Sequence, residues 1–251
     1  MGNLTSVETR AATWAVVALK SPDTAKSRLR PLLSDAERRD LYFIMAYQVL
    51  NSLKATPGIE RVLVVTACAE VDRFAAQLDV QVIRQSEDRG TAAAFTHAVM
   101  VLLDAARRRR PQRLLMIAGD LPLVTPEAVS ALLAESGDAA VSVVPDRQRV
   151  GTNALLCSPP DVIEPCFGEN SYHRHLAAAS ARSIAARTIE SPALSLDIDI
   201  ADDLALLDAH YLGLPDAADN ELSELLARLR AAAMLAARES SHDVSVVKTA
   251  N

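Results

Sequence analysis

This 251-residue chain is poor in aromatics (4%), glycine (eight residues) and cysteine (three). Cys68, Cys157 and Cys166 are odd in number and widely spaced, with no CxxC pair. That argues against a disulfide frame or a thiolate zinc site and points to reduced thiols in a cytoplasmic protein. No GxxxxGK[ST] or GxGxxG sequence occurs, so a P-loop and an ordinary dinucleotide fingerprint are excluded. A GxSxG elbow and an HExxH pair are missing too. His173 and His175 form the tightest histidine pair, and on a helix they would face apart, which disfavours a metal role. Positive charge is in deficit, with 26 Lys and Arg against 32 Asp and Glu. The balance of −6 speaks against a general nucleic-acid or membrane-surface partner. The run Arg107–Arg110 reads as the solvated end of a helix before Pro111. No apolar stretch approaches a membrane span, and none precedes Thr13 as a signal core, so residues 1–12 read as a loose tail.

Half of the residues are hydrophobic, mostly Ala, Val, Leu and Ile. Strands are expected at 14–19, 61–66, 80–84, from 113, at 139–144, 153–157 and 195–200. Helices are expected at 34–54, 70–77, 91–110, 125–135, 172–182 and 202–210. Ser34 with Glu37 forms a capping box, and Pro126 suits a first helical turn. Strands alternating with helices give an α/β fold with a mostly parallel sheet. Leu212-Gly213-Leu214-Pro215 closes this domain at about 212. In the segment 213–251, Leu222, Leu225, Leu226 and Leu229 recur at helical spacing. That stripe either packs on the chain's own core or serves a homodimer, with nothing to separate the two.

Three constellations carry charge. Arg113–Leu123 reads as a buried strand ending at Gly119-Asp120, with the glycine there so that the backbone can bend and a ligand can come close. Leu196-Asp197-Ile198-Asp199-Ile200 alternates strictly, which on a strand sets both aspartates on one face, about 6.5–7 Å apart. That spacing suits a hard cation, or else a merely wet strand face. Lys20, Lys26 and Arg28 follow the first strand, where cations are placed to hold phosphates unless they are simply solvated.

Together, LKxxxxxKxRL, GDLP, GTNALL and the late DxD resemble the 2-phospho-L-lactate guanylyltransferase family over about residues 13–210. The resemblance implies a three-layer αβα, Rossmann-like nucleotide-diphosphosugar transferase fold. It implies guanylyl transfer from GTP to 2-phospho-L-lactate, phosphoenolpyruvate or 3-phospho-D-glycerate, with release of pyrophosphate, in making the deazaflavin coenzyme F(420). Asp120, Asp197 and Asp199 match the family's Mg²⁺ ligands, and Lys20, Lys26 and Arg28 match its phosphate-holding cations. Thr152, Gly168 and Ser171 match positions that contact the acid. Gly90 and Thr91 count with the substrate pocket, although this chain has Gly90-Thr91-Ala92 where relatives carry Gly-Leu-Asn. The implied partner is a downstream transferase that takes the product. The alternatives are a related nucleotidyltransferase serving another cofactor and a non-catalytic nucleotide-binding protein.

Overall fold

The computed structural model describes residues 12–104, 110–213 and 221–230. Seven strands form one sheet: β1 (Thr13–Ala18), β2 (Ile59–Thr66), β3 (Gln81–Arg84), β4 (Arg113–Ile117), β5 (Val141–Pro145), β6 (Thr152–Cys157) and β7 (Arg187–Thr188). Their order is β3-β2-β1-β4-β6-β5-β7. All neighbours run parallel except β6, which is antiparallel to both β4 and β5.

Alternation along the central strands builds two cores. On β1, Ala15 and Val17 face α1 (Asp35–Ala55), α2 (Ala69–Gln77) and α4 (Pro126–Ser136), while Trp14 and Val16 face α3 (Thr91–Asp104) and α5 (Ser171–Ser180). On β4, Leu115 and Ile117 join the first set, and Leu114 and Met116 the second. Strands buried on both faces read as continuous apolar runs, which is why RLLMI stands out in the sequence. The result is the three-layer αβα arrangement.

Local signals start the helices where expected. Ser34 Oγ accepts from the Glu37 amide at 3.3 Å, and the Ser34 amide donates back to the Glu37 carboxylate at 2.8 Å. At α4, Thr125 Oγ1 accepts from the Ala128 amide (3.2 Å), with Pro126 in the first turn. A third cluster joins Leu29, Leu41 and Met45 to Leu207 and Tyr211 of α7 (Ala201–Leu212). Residues 221–230 are helical, and Leu222, Leu225 and Leu226 are buried in that cluster with Leu229 packed against it. The leucine stripe therefore lies on the chain's own core. Residues 107–109 of the arginine run, the tail before Ala12, and 214–220 and 231–251 fall outside the described residues.

Two expectations need correction. The segment 195–200 is not a strand. Pro192–Ser195 forms the short helix α6, and 196–200 continue without sheet pairing. The seventh strand is instead the two-residue β7. Gly119, moreover, has no positive φ. A Cβ there would lie 2.4 Å from Leu19 Cδ2 and 3.2 Å from Val17 Cγ1. Its backbone therefore does not need a glycine conformation, the Leu19 and Val17 side chains crowd the place where a Cβ would stand, and Gly119 itself lines the cleft at the end of β4.

Candidate active site

The carboxyl ends of β1 and β4 open into a cleft of about 670 Å³. Because β6 runs antiparallel to β4, its first residues stand at that same end. The Ala118 amide donates to the Asn153 carbonyl at 2.8 Å, so Thr152 and Asn153 lie beside Asp120. The cleft gathers Lys20, Lys26, Arg28, Thr91, Asp120, Thr152, Gly168, Ser171, Asp197 and Asp199. Gly90 lines an adjoining cavity of about 360 Å³, bounded by Leu19, Lys20, Val65 and residues 85–88. At Gly90 (φ +90°) and Gly168 (φ +109°) the backbone does require glycine.

Lys26 sits at the charged centre. It adopts a left-handed φ of 54° just before the single turn Ser27–Leu29, whose Leu29 is anchored in the third cluster. The buried ammonium donates to Asp120 Oδ2, and to Asp199 Oδ1 at 3.0 Å. Burial alone would push Lys26 down, but the two carboxylates hold it above the ordinary lysine value. Asp199 lies below the usual carboxylate range: burial pulls it up, and Lys26, aided by Arg28 and Lys20, overrides that. Asp197 feels Lys26 only weakly, as a charge without a hydrogen bond. Burial, then the charges of Asp120 and Asp199, push it up to about 7, against a hydrogen bond from Asn153 Nδ2 at 3.3 Å.

The surrounding chain holds these groups still. Tyr42 on α1 donates to the Lys20 carbonyl at 2.7 Å, and Arg38 Nη1 to the Ala25 carbonyl at 2.9 Å. The Asp203 carboxylate accepts from the Asp199 and Ile200 amides, both at 3.0 Å, and also contacts Arg147 (3.4 Å). The Arg147 amide bonds the Ser195 carbonyl (2.9 Å), tying the turn between β5 and β6 to the Asp197–Asp199 segment. In that turn Asp146 accepts from the Val150 and Gly151 amides, both at 2.8 Å.

Sequence reasoning missed several lining residues, among them Tyr42, Asn153 and Phe167, whose ring packs at a tilt on Phe95. Asn153 could have been found from its place next to Thr152 on a strand entering the site. Phe167 carries no local signal. Among the described residues, no group of three or more His, Cys, Asp or Glu side chains is drawn together tightly enough to hold a metal. The Lys26 ammonium lies between two of the three aspartates.

The profile of the family described as "Guanylyl transferase CofC like" matches residues 13–232. The phosphoenolpyruvate guanylyltransferase of Conexibacter woesei is 37% identical over 198 residues, 78% of this chain and 87% of that one. A 3-phospho-D-glycerate guanylyltransferase of Phenylobacterium zucineum is 32% identical over 194 residues, 75% of this chain and 86% of that one. Among solved structures, a protein of Desulfovibrio desulfuricans G20 assigned to the nucleotide-diphospho-sugar transferases superposes with a TM-score of 0.71 at 15% identity. That match covers 88% of this chain and 96% of the other. At such identity it speaks to the fold alone.

Proposed function

The chain belongs to the CofC-like guanylyl transferase family, nucleotidyltransferase enzymes, and from that premise we propose that it moves GMP from GTP to a small phosphorylated acid. The observation carrying this reading is the cleft itself. Lys20, Lys26 and Arg28 line it together with Thr152, Ser171, Asp120, Asp197 and Asp199. Phosphoenolpyruvate is the first acid to try, since the Conexibacter relative bears its name, followed by 3-phospho-D-glycerate and 2-phospho-L-lactate.

The chemistry needs no protein nucleophile. An acceptor phosphate oxygen, already anionic, forms a bond to the α-phosphorus of GTP as the bond from that phosphorus to the bridging oxygen breaks. Pyrophosphate leaves with the electron pair, and no proton has to be removed, so a general base is not required. The protein's work is alignment and charge neutralisation. Lys26 has three N–H donors, and Asp120 and Asp199 take two, so a third remains for a phosphate oxygen. Lys20 and Arg28 add positive charge beside it. The adjoining cavity has the apolar floor and the acceptor side chains, Glu87 and Asp88, that a guanine ring would use.

The donor set is of the kind a hard divalent cation takes, since it is all oxygen, but the three aspartates are not drawn together around one point and Lys26 lies between two of them, so they would have to close on the ion as it binds. Magnesium held by Asp120, Asp197 and Asp199 would neutralise charge on the triphosphate. The guanylylated acid would pass to a downstream transferase in the cytoplasm, in making coenzyme F(420). Pyrophosphate release from GTP and Mg²⁺ with each acid in turn tests the reading. Release with one acid supports it and identifies the acceptor, and no release with any of the three overturns it.

A further inference from the structure

His175 lies beneath the cleft rather than in it. It is fully buried on α5, one turn after Ser171, and its ring packs edge-on against Phe167 with centroids 5.0 Å apart. Both ring nitrogens are engaged. Nε2 faces the Cys166 amide at 2.8 Å, and Nδ1 faces Thr152 Oγ1 at 3.0 Å. An amide N–H can only donate, so Nε2 has to be the bare, accepting nitrogen. A proton on Nε2 would set two donors against each other in a dry site. Burial keeps the ring neutral by pushing its pKa down to about 4, with Arg174 adding to the effect. The single ring proton therefore sits on Nδ1 and is donated to Thr152 Oγ1.

This settles the threonine hydroxyl. Its oxygen is committed as acceptor to His175, and among the described residues it has no other hydrogen-bond partner. The hydroxyl proton is left to point away from the ring, and Thr152 lines the cleft. We propose that His175 is a positioning residue that fixes Thr152 as a hydrogen-bond donor into the site, there to meet an anionic oxygen of the acceptor acid. The inference rests on the guanylyltransferase reading. The logic is the orientation of a side chain by its second partner, familiar from metal-bound histidines, here applied to a hydroxyl. A rotor held as a donor favours a carboxylate or phosphate oxygen and disfavours a donor group at the same place.

Two substitutions separate the halves of the device. His175→Asn keeps an N–H near the place of Nδ1, and His175→Gln keeps an acceptor for the Cys166 amide but loses the donor to Thr152. The expected result for His175→Gln is a KM for the acceptor acid raised about tenfold, with kcat and the KM for GTP nearly unchanged, as the loss of one oriented hydrogen bond predicts. His175→Asn should recover most of that loss. Thr152→Val should raise the acceptor KM as much, and His175→Gln added to it should change nothing further. An unchanged acceptor KM in His175→Gln, additive effects in the double variant, or a rise confined to the GTP KM would each overturn the proposal.

The ¹⁵N spectrum of the wild-type imidazole gives a readout that does not depend on turnover. It should show Nδ1 protonated and Nε2 bare, and the opposite tautomer refutes the assignment even if His175→Gln fails to fold. A wild-type protein silent with every acid would instead refute the functional reading, and the spectrum would still decide the orientation of Thr152.

Discussion

Replacing Lys26 by methionine removes the one ammonium that two site carboxylates share, while retaining most of the side-chain length and the backbone geometry of the turn. Two effects should separate. The Lys26 side chain is 5% exposed, but those of Asp120 and Asp199 are 29% and 51% exposed, so water screens the carboxylates that it leaves behind. Breaking a fully buried pair costs about 3–5 kcal/mol, and with this screening the expected loss of stability is about 1–2 kcal/mol. For a chain of this size that lowers Tm by about 2–8 °C. Catalysis should suffer more. Loss of one preorganised donor aimed at developing charge costs about 10²–10³ in rate, about 3–4 kcal/mol. Thermal unfolding followed by circular dichroism measures the first effect, and steady-state pyrophosphate release at varied GTP measures the second. A Lys26→Met protein with kcat/KM within about threefold of wild type would refute the phosphate-holding role and return Lys26 to a structural counter-ion.

Three further outcomes follow from the same geometry. Asp197→Asn can still accept from Asn153 but removes a buried charge and its repulsion with Asp120 and Asp199, so it should stabilise the ligand-free protein by about 1–2 kcal/mol while slowing transfer about 100-fold; a destabilised variant in thermal melts would contradict this burial and crowding of charge. His175 is protonated near 6.5 in the unfolded chain but only near 4 when folded, so its contribution is complete above pH 6.5 and is lost as pH falls. Urea unfolding should therefore show about 2 kcal/mol more loss between pH 7 and pH 5 in the wild type than in His175→Gln, and parallel pH curves would contradict the burial of a neutral ring. Gly119→Ala puts a Cβ against the Leu19 and Val17 side chains and should cost about 1–3 kcal/mol in chemical denaturation, whereas an unchanged midpoint would show that the Leu19 side chain yields without loss.

The sequence was legible wherever local chemistry decides the outcome. RLLMI reads as a buried strand because both faces of β4 are covered, and Ser34 with Glu37 starts α1 through bonds spanning three residues. Lys20, Lys26, Arg28 and Asp120 could be pointed to because they follow strands whose ends share one edge of the sheet. The Asp197–Asp199 segment shows where such reading stops. Its alternation is real, with Leu196 and Ile198 buried, but it comes from packing on the third cluster and not from strand pairing. Whether a backbone finds a neighbouring strand is decided elsewhere in the chain, here by the Asp203 carboxylate that takes the Asp199 and Ile200 amides. The two-residue β7 is too short for any periodic pattern. The pairing of Thr152 with His175 is a different kind of gap. Twenty-three positions separate them, and nothing in either residue's neighbours foretells that a ring on α5 will face the first residue of β6. A histidine judged only by its spacing from another histidine is set aside as a metal ligand and then given no other role. Its use emerges only when the Cys166 amide dictates which nitrogen carries the proton.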